Sequence, residues 1–284
     1  MIIDFHTHIF PDRIAPATIR ALSATGGIPA HTDGTAEGLA ASMKKAGISL
    51  SVNLPVLTQP HQSTRVNERL IESLEETKAK GILPFGGIHP DYENCRDILR
   101  MLKDAGIPGI KLHPAYQETD LDDERYLRII DEASELGLIV LTHAGPDIGI
   151  PGHNYASVEM ILHVIERVRP PRFVLAHMGG WNDWETVKKY LAGAPVWLDT
   201  AFSPDEGFLS DDRFLPDEDF ISLCRAHGTD RILFATDSPW SDQSAYVQAV
   251  RRMPFTETER EAIFGGNAMK LLEIDPSSCH TLRV

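Results

Sequence analysis

The amino-acid sequence predicts an α/β protein, a (β/α)8 TIM barrel with extra helices at its C-terminal end. Short apolar runs alternate with helix-like segments eight times along the 284 residues. Such alternation is typical of a parallel sheet with right-handed crossovers. Eight units also agree with the usual length of a closed barrel, about 250 residues plus insertions. We therefore expect one domain that spans residues 1–284.

The predicted strands are continuous apolar runs bounded by turn residues, the pattern of strands buried on both faces. In chain order they cover residues 1–8, 49–54, 82–88, 108–112, 138–142, 173–176, 195–198 and 231–236. Most of the predicted helices end at a glycine, the usual residue after a helix. They cover residues 35–46, 64–80, 91–105, 122–136, 153–168, 181–192 and 217–227, with a final pair at 241–253 and 256–272. An open doubly wound sheet is the alternative fold, but no Gly-x-Gly-x-x-Gly turn follows the first strand.

The composition narrows the classes of function. The formal net charge is −14, from 27 basic and 41 acidic residues, whereas nucleic-acid binding calls for a basic patch or stripe. No apolar run approaches the roughly 18 residues of a membrane span, and no charged-then-apolar leader precedes the first strand. The cysteines Cys95, Cys224 and Cys279 are far apart, and the first two fall in predicted helices as small apolar groups. We expect a cytoplasmic protein with a small-molecule substrate and no nucleic-acid or membrane partner; a homo-oligomer is left open.

The pair His6 and His8 is the most informative feature of the chain. Alternate residues of a strand point to the same face, so the two imidazoles are expected side by side on the first strand. Two imidazoles on a rigid strand can bind a transition metal such as zinc. The alternative is a strand that carries two unrelated surface histidines.

Ligand-type residues also stand at the ends of later predicted strands. They are His89, His113, His143, His177, Asp199 and Asp237. In a barrel, the carboxyl ends of all strands meet on one face, where the active site lies. The side chains expected around one cavity are His6, His8, His143, His177 and Asp237. Three or four nitrogen and oxygen ligands with an open position describe a catalytic metal site. Asp199 is expected either to fix an imidazole tautomer or to cap the segment that follows it.

Several motifs resemble those of a known family. They are Phe5-His6-Thr7-His8, Gly109-Ile110-Lys111-Leu112-His113-Pro114, Thr142-His143-Ala144-Gly145, Phe234-Ala235-Thr236-Asp237-Ser238-Pro239 and Gly265-Gly266-Asn267-Ala268-Met269-Lys270-Leu271-Leu272. The chain resembles the amidohydrolase superfamily, and more narrowly the amidohydrolase-related family. That family includes aminocarboxymuconate-semialdehyde decarboxylase-like enzymes and metal-dependent hydrolases. The resemblance covers essentially the whole chain in the expected order.

The resemblance implies a divalent metal, zinc in the first place, with manganese or another transition metal as alternatives. The ligands that it implies are His6, His8, His143 and Asp237. His177 either completes a second metal site or donates a hydrogen bond to the metal-bound water. Asp237 and His177 are then the expected catalytic residues, Asp237 as the proton acceptor and His177 as the group that orients the water or stabilises an oxyanion.

Substrate binding is assigned to five further residues on weaker grounds. They are Lys111, His113, His89, Arg13 and Trp181. Lys111 lies near the end of strand four, where two-metal members of the superfamily carry a carboxylated lysine; otherwise it is an ammonium group for a substrate carboxylate or a solvated lysine. His113 and His89 each precede a proline, so they either line the pocket or only end their strands. Arg13 can bind a carboxylate, and Trp181 either lies at the rim of the pocket or packs within its loop.

Two reactions use this set of ligands. A bound cation lowers the pKa of water to about 7, so we expect a metal-dependent hydrolase acting on an ester, lactone or amide. The alternative is a metal-dependent, non-oxidative decarboxylase of an aromatic or unsaturated acid. The scarcity of arginine at the predicted strand ends favours hydrolysis, because a decarboxylase needs a carboxylate clamp. A non-enzymatic barrel that keeps the site as a binding module is the third hypothesis.

Overall fold

The computed structural model describes residues 1–204 and 213–275, so Cys279 lies outside the described residues. Its strands are β1 (Ile3–Thr7), β2 (Leu50–Asn53), β3 (Ile82–Pro84), β4 (Gly86–Gly87), β5 (Gly109–Leu112), β6 (Ile139–Thr142), β7 (Phe173–Leu175), β8 (Trp197–Asp199) and β9 (Ile232–Leu233). Its α-helices are α1 (Ala15–Gly26), α2 (Ala36–Ala46), α3 (Gln62–Glu72), α4 (Leu74–Ala79), α5 (Cys95–Asp104), α6 (Glu124–Glu135), α7 (Val158–Arg167), α8 (Trp184–Thr186), α9 (Asp217–His227), α10 (Gln243–Arg252), α11 (Glu257–Glu261) and α12 (Asn267–Leu272). The predicted alternation of strands and helices is confirmed.

The residues form two compact units. The terminal unit comprises residues 1–53, 77–83 and the described residues from 199 onward. The central unit comprises residues 54–76 and 84–198. The single domain over residues 1–284 stays a prediction. None of the described helices combines the length and the apolar content that crossing a bilayer requires.

In the central unit, strands pair in parallel and in chain order. β4 pairs with β5, β5 with β6, β6 with β7, and β7 with β8. Leu112 stands opposite Thr142, and Thr142 stands opposite Leu175. The residues that follow these three positions therefore begin at the same edge of the sheet. His113 follows Leu112 and His143 follows Thr142, so both histidines lie at this edge.

In the terminal unit, β1 pairs in parallel with β2, and the order of the sheet is β1-β2-β3. The backbone N–H of Phe5 donates to the carbonyl of Phe234, and that of Thr200 donates to the carbonyl of Leu233. The segment around β9 therefore lies between β1 and the residues that follow β8. All five residues of β1 are buried, as expected for a strand covered on both faces.

Four predicted elements are broken in the structure, and one of them, the helix expected over 181–192, consists of α8 and a π-helical segment, Val187–Leu191. The strand expected over 82–88 is divided into β3 and β4, and at Gly86 a Cβ atom would meet the side chains of Leu102 and Asn67. The helix expected over 64–80 is divided into α3 and α4 at Ser73, whose hydroxyl donates to the carbonyl of Arg69. The helix expected over 256–272 contains a π-helical segment, Ala262–Gly266, between α11 and α12. At Gly265, a Cβ atom would approach the carbonyl oxygen of Met1 to 2.5 Å.

Other boundaries differ by less. Helix α2 begins after its N-cap Thr35 and ends before Gly47, as predicted. Helix α7 begins later than expected, because the side chain of Ser157 caps it by accepting from the N–H of Met160. Strand β9 begins one residue later than expected, because a 3₁₀ turn, Thr229–Arg231, precedes it, and it ends at Leu233 where the sequence predicted 236. Helix α1 follows the first strand and is not predicted by the sequence pattern.

Candidate metal centre

Three ligand atoms converge in the terminal unit. The Nε2 atoms of His6 and His8 lie 3.2 Å apart, and Oδ1 of Asp237 lies 3.1 Å from Nε2 of His8 and 3.6 Å from Nε2 of His6. In a tetrahedral zinc site with bonds of about 2.0–2.1 Å, neighbouring ligand atoms are roughly 3.3–3.4 Å apart. The three distances therefore match those around a single small cation.

The tautomer of His6 is determined by Asp199. Oδ2 of Asp199 lies 2.8 Å from Nδ1 of His6, and both side chains are buried. A carboxylate accepts, so Nδ1 of His6 must carry the hydrogen and Nε2 keeps its lone pair. The other carboxylate oxygen accepts from the backbone N–H of Ala201 at 3.0 Å. The structure therefore shows a contact for each of the two roles expected for Asp199, one with an imidazole and one with the backbone of the segment that follows it.

Asp237 has an unusual backbone conformation. Its φ is +66°, in the left-handed region that a non-glycine residue seldom occupies. Its backbone N–H donates to the carbonyl of His6 at 2.9 Å, and the N–H of His8 donates to the carbonyl of Ser238 at 2.7 Å. These two hydrogen bonds tie the Asp237 segment to the strand that carries both histidines.

A second carboxylate, Asp4, is fully buried in the same unit. Burial raises the pKa of Asp4 to about 6, and hydrogen bonds from Thr236, Gln243 and His6 act in the opposite direction. A buried carboxylate requires such donors, since leaving it without them would cost several kcal/mol.

In the central unit, two histidines face each other. Nδ1 of His143 lies 3.1 Å from Nε2 of His177. Nε2 of His143 lies 3.2 Å from the carbonyl oxygen of Pro146, and a carbonyl can only accept, so this nitrogen carries the hydrogen. Nδ1 of His143 therefore has the lone pair on the side of His177. His177 has a left-handed φ of +57°, and its carbonyl accepts from the indole of Trp184 at 3.0 Å.

Asp147 adds an acid to this pair, and sequence reasoning missed it. Its Oδ2 lies 3.6 Å from Nε2 of His113 and 3.8 Å from Nε2 of His143. The rings of His113 and His143 stack with centroids 4.5 Å apart. By distance alone, His113, His143 and Asp147 could hold a cation. The hydrogen that Nε2 of His143 directs at Pro146 argues against this, because that nitrogen has no lone pair left for a metal. An acid four residues after His143 was the available signal for Asp147.

The predicted substrate-binding residues fall into two groups. Four of the five are buried, namely Lys111, His113, His89 and Trp181. Arg13 is exposed in the turn before α1 of the terminal unit. Burial lowers the pKa of His89, whose Nδ1 accepts from the N–H of Asp91 at 3.2 Å. His89 is therefore neutral near pH 7, with its hydrogen on Nε2.

Both clusters lie within the part of the chain that a family model matches. The family model described as amidohydrolase matches residues 3–274. The chain belongs to the amidohydrolase family. It is thereby a member of an enzyme family, and the resemblance drawn from the motifs is confirmed.

Similar proteins extend this result to the fold. 2-Amino-3-carboxymuconate-6-semialdehyde decarboxylase of Dictyostelium discoideum is 23% identical over 212 residues, which are 65% of this chain and 58% of that relative. The chain thus spans less than two thirds of the length of this curated relative. A TIM-barrel protein of uncharacterised function from Bordetella bronchiseptica has a TM-score of 0.72 at 20% identity, over 96% of this chain and 98% of its own. A dihydroxybenzoic acid decarboxylase from a Polaromonas species, with bound manganese and the inhibitor 2-nitroresorcinol, has a TM-score of 0.70 at 17% identity, over 96% and 97%. The predicted TIM barrel is confirmed by these likenesses.

The comparisons correct the predicted reaction. The preference for a hydrolase is wrong, because the similar proteins from Dictyostelium and Polaromonas are decarboxylases. They agree with the alternative drawn from the sequence. The error has a physical origin, since the two reactions share one set of metal ligands and the strand-end histidines cannot separate them. The scarcity of arginine was a poor discriminator, because lysine or a metal can also bind a carboxylate. Zinc as the metal stays a prediction.

Proposed function

We propose that this protein is a divalent-metal-dependent, non-oxidative decarboxylase of an aromatic or unsaturated carboxylic acid. The observation that carries the proposal is the convergence of three ligand atoms, Nε2 of His6, Nε2 of His8 and Oδ1 of Asp237, at 3.1–3.6 Å. The named activities of the similar proteins support the reaction class. The manganese in the Polaromonas structure supports manganese beside zinc as the metal.

The donor set suits a divalent cation of the first transition series. Imidazole nitrogen is a typical zinc ligand, and a carboxylate oxygen suits both zinc and manganese. The orientation of His6 by Asp199 leaves the lone pair of Nε2 available, as a ligand must. The family resemblance adds His143 as a further ligand and His177 as a ligand or a hydrogen-bond donor. A cation held there would polarise the substrate carboxylate or a neighbouring oxygen.

In this proposal, Asp237 moves the proton that replaces carbon dioxide. The bond between the carboxylate carbon and the adjacent unsaturated carbon breaks, and its electron pair stays on the latter. Carbon dioxide leaves, and a proton that Asp237 has taken up from water joins the carbon that has lost the carboxylate. Lys111, buried on β5, is the cation that we assign to a substrate oxygen, in preference to a carboxylated bridge. His89 and His113 are proposed as hydrogen-bonding groups and Trp181 as an apolar wall, while exposed Arg13 is the weakest of the five assignments.

Product analysis tests the reaction. Protein loaded with manganese or zinc is incubated with dihydroxybenzoic acids, 5-carboxyvanillate and aminocarboxymuconate semialdehyde. We expect stoichiometric carbon dioxide and, in heavy water, one deuterium at the carbon that loses the carboxylate. The proposal is wrong if the loaded protein releases carbon dioxide from each acid no faster than a His6→Ala/His8→Ala variant.

Metal analysis tests the ligands separately. The His6→Ala/His8→Ala variant should lose most of the bound metal, because two of three converging ligand atoms are removed. The matched control is His153→Ala/His163→Ala, which removes two partly exposed histidines that pair with Asp120 and Asp122. Equal metal content in the first variant and the parent would contradict the assignment.

A further inference from the structure

Asp4 joins the histidine-bearing strand to the segment that carries Asp237. Its Oδ1 accepts from the backbone N–H of Thr236 at 2.9 Å and from that of His6 at 3.3 Å. Its Oδ2 accepts from the hydroxyl of Thr236 at 2.6 Å and from the side-chain amide of Gln243 at 2.7 Å. Four donors therefore reach one fully buried carboxylate, two of them from the residue that precedes Asp237.

The same contacts extend to the other side of Asp237. The hydroxyl of Thr236 accepts from the backbone N–H of Ser238 at 3.1 Å. Thr236 and Ser238 are thus both linked to Asp4, one directly and one through the hydroxyl. Between them, Asp237 keeps its left-handed φ of +66°. Because that conformation is unfavourable for a residue with a Cβ atom, the neighbours must determine it.

We infer that Asp4 is a positioning residue, which holds Thr236 and Ser238 so that the carboxylate of Asp237 stands beside His6 and His8. One readout of this inference, the affinity for a divalent metal, rests on the proposed metal centre. Asp4 itself is held by Gln243 at the start of α10. The Asp4 carboxylate therefore connects α10 and β1 to the backbone on both sides of Asp237.

Two variants remove the link in different ways. Asp4→Asn replaces one accepting oxygen by an amide, and Thr236→Val removes the hydroxyl while keeping the branched shape. We expect each to weaken cobalt(II) binding by about tenfold or more, the scale on which groups behind metal ligands act. The double variant should bind about as weakly as the weaker single variant, because both changes break one link. In the metal-free protein, amide hydrogen exchange at Thr236 and Ser238 should accelerate about tenfold.

Thr7→Val is the matched control. The Thr7 hydroxyl is also buried, stands on β1 between the two histidines, and donates to the carbonyl of Val52 at 2.8 Å. Its loss should lower the melting temperature about as much as Thr236→Val does. Cobalt binding and exchange at Thr236 and Ser238 should stay within about threefold of the parent. A merely structural role for Asp4 predicts that the three variants behave alike.

An exchange of groups separates positioning from stability. Asp4→Asn/Gln243→Glu restores a carboxylate–amide hydrogen bond to α10 but leaves Thr236 without its full acceptor. We expect the melting temperature to recover and cobalt affinity to stay low. If Asp4→Asn folds and binds cobalt within threefold of the parent, the inference is wrong and the metal centre stands. If the parent binds no divalent metal, the proposed centre is wrong, and hydrogen exchange still decides the role of Asp4. Should Asp4→Asn fail to fold, Thr236→Val decides in the same way.

Discussion

Oδ2 of Asp199 accepts a hydrogen bond from Nδ1 of His6 at 2.8 Å, across 193 positions of sequence. An Asp199→Asn variant tests what this contact does. The amide would keep one oxygen for the N–H of Ala201 and turn its NH₂ toward His6. Nδ1 of His6 must then accept, so the hydrogen moves to Nε2 and the lone pair for the metal is lost.

We expect Asp199→Asn to weaken metal binding by about 10- to 100-fold, with the fold retained. Titration with manganese measures the affinity, and nitrogen-15 NMR of His6 reports the tautomer. Asp242→Asn is the control, since this acid caps α10 by accepting from the N–H groups of Ser244 and Ala245 and holds no histidine of the candidate centre. If the metal affinity of Asp199→Asn equals that of the parent, Asp199 does not control metal binding through the tautomer of His6.

Asp237→Asn tests proton transfer. The amide can still offer an oxygen to a cation, but it cannot carry a proton near neutral pH. We therefore expect turnover to fall by about two orders of magnitude or more, while the melting temperature changes little. Steady-state carbon dioxide release measures turnover, and Asp230→Asn on an exposed turn of the same unit is the control. Near-parental turnover in a metal-loaded Asp237→Asn protein would exclude Asp237 as the proton carrier.

Gly145 supports the histidine pair of the central unit. It has a φ of +88°, and a Cβ atom there would lie 2.6 Å from the carbonyl oxygen of Trp181. The N–H of Trp181 also donates to the carbonyl of Ala144 at 2.9 Å, which joins the residues after His143 to those after His177. Gly145→Ala should therefore destabilise the protein by more than the roughly 1–3 kcal/mol of backbone strain alone.

Gly152→Ala separates the cost of the backbone conformation from the cost of steric overlap with Trp181. Gly152 has a φ of +111°, but a Cβ atom there would meet nothing within 4 Å. Urea unfolding of both variants gives the comparison, with the larger loss expected for Gly145→Ala. Equal losses would mean that the contact with Trp181 adds nothing.

The pair of Arg225 and Glu259 makes stability depend on pH. Hydrogen bonds from Arg225, and then from the N–H of Thr256, lower the pKa of Glu259 from 4.5 to about 2. Because the folded-state pKa lies below the unfolded value, ionised Glu259 favours folding above pH 4.5. That contribution is lost as the pH falls toward 2.

Glu259→Gln should therefore be less stable than the parent at pH 6, and the difference should close near pH 2. The difference is expected to be small, since Arg225 is half-exposed and solvent screens the pair. Melting temperatures across this pH range measure it. Glu257→Gln is the control, because Glu257 is largely exposed in its pair with Arg260. If the difference in melting temperature between Glu259→Gln and the parent does not change with pH, the lowered pKa of Glu259 is contradicted.

The sequence predicted the local elements best where a residue acts on its own backbone. Thr35 and Gly47 bound α2 at the expected positions, because capping and a left-handed φ are local properties. Strand periodicity likewise located His6 and His8, and their neighbouring Nε2 atoms follow from the strand repeat. The division of the helix at Ser73 and that of the strand at Phe85, just before Gly86, were missed, since periodicity does not reveal a distant packing partner or a side-chain hydrogen bond.

By itself, the amino-acid sequence determined the alternation of strands and helices, the residues at the strand ends and the family. These follow from periodic burial and from short motifs, which are properties of neighbouring residues. Only the tertiary structure decided that Asp199 orients His6, that Asp4 joins Thr236 to Gln243, and that Asp147 stands beside His113. Hydrogen-bond partners, tautomers and left-handed backbones depend on atoms brought together from 34 to 239 positions away. No local pattern encodes those distances, because they arise only when the strands and helices have packed.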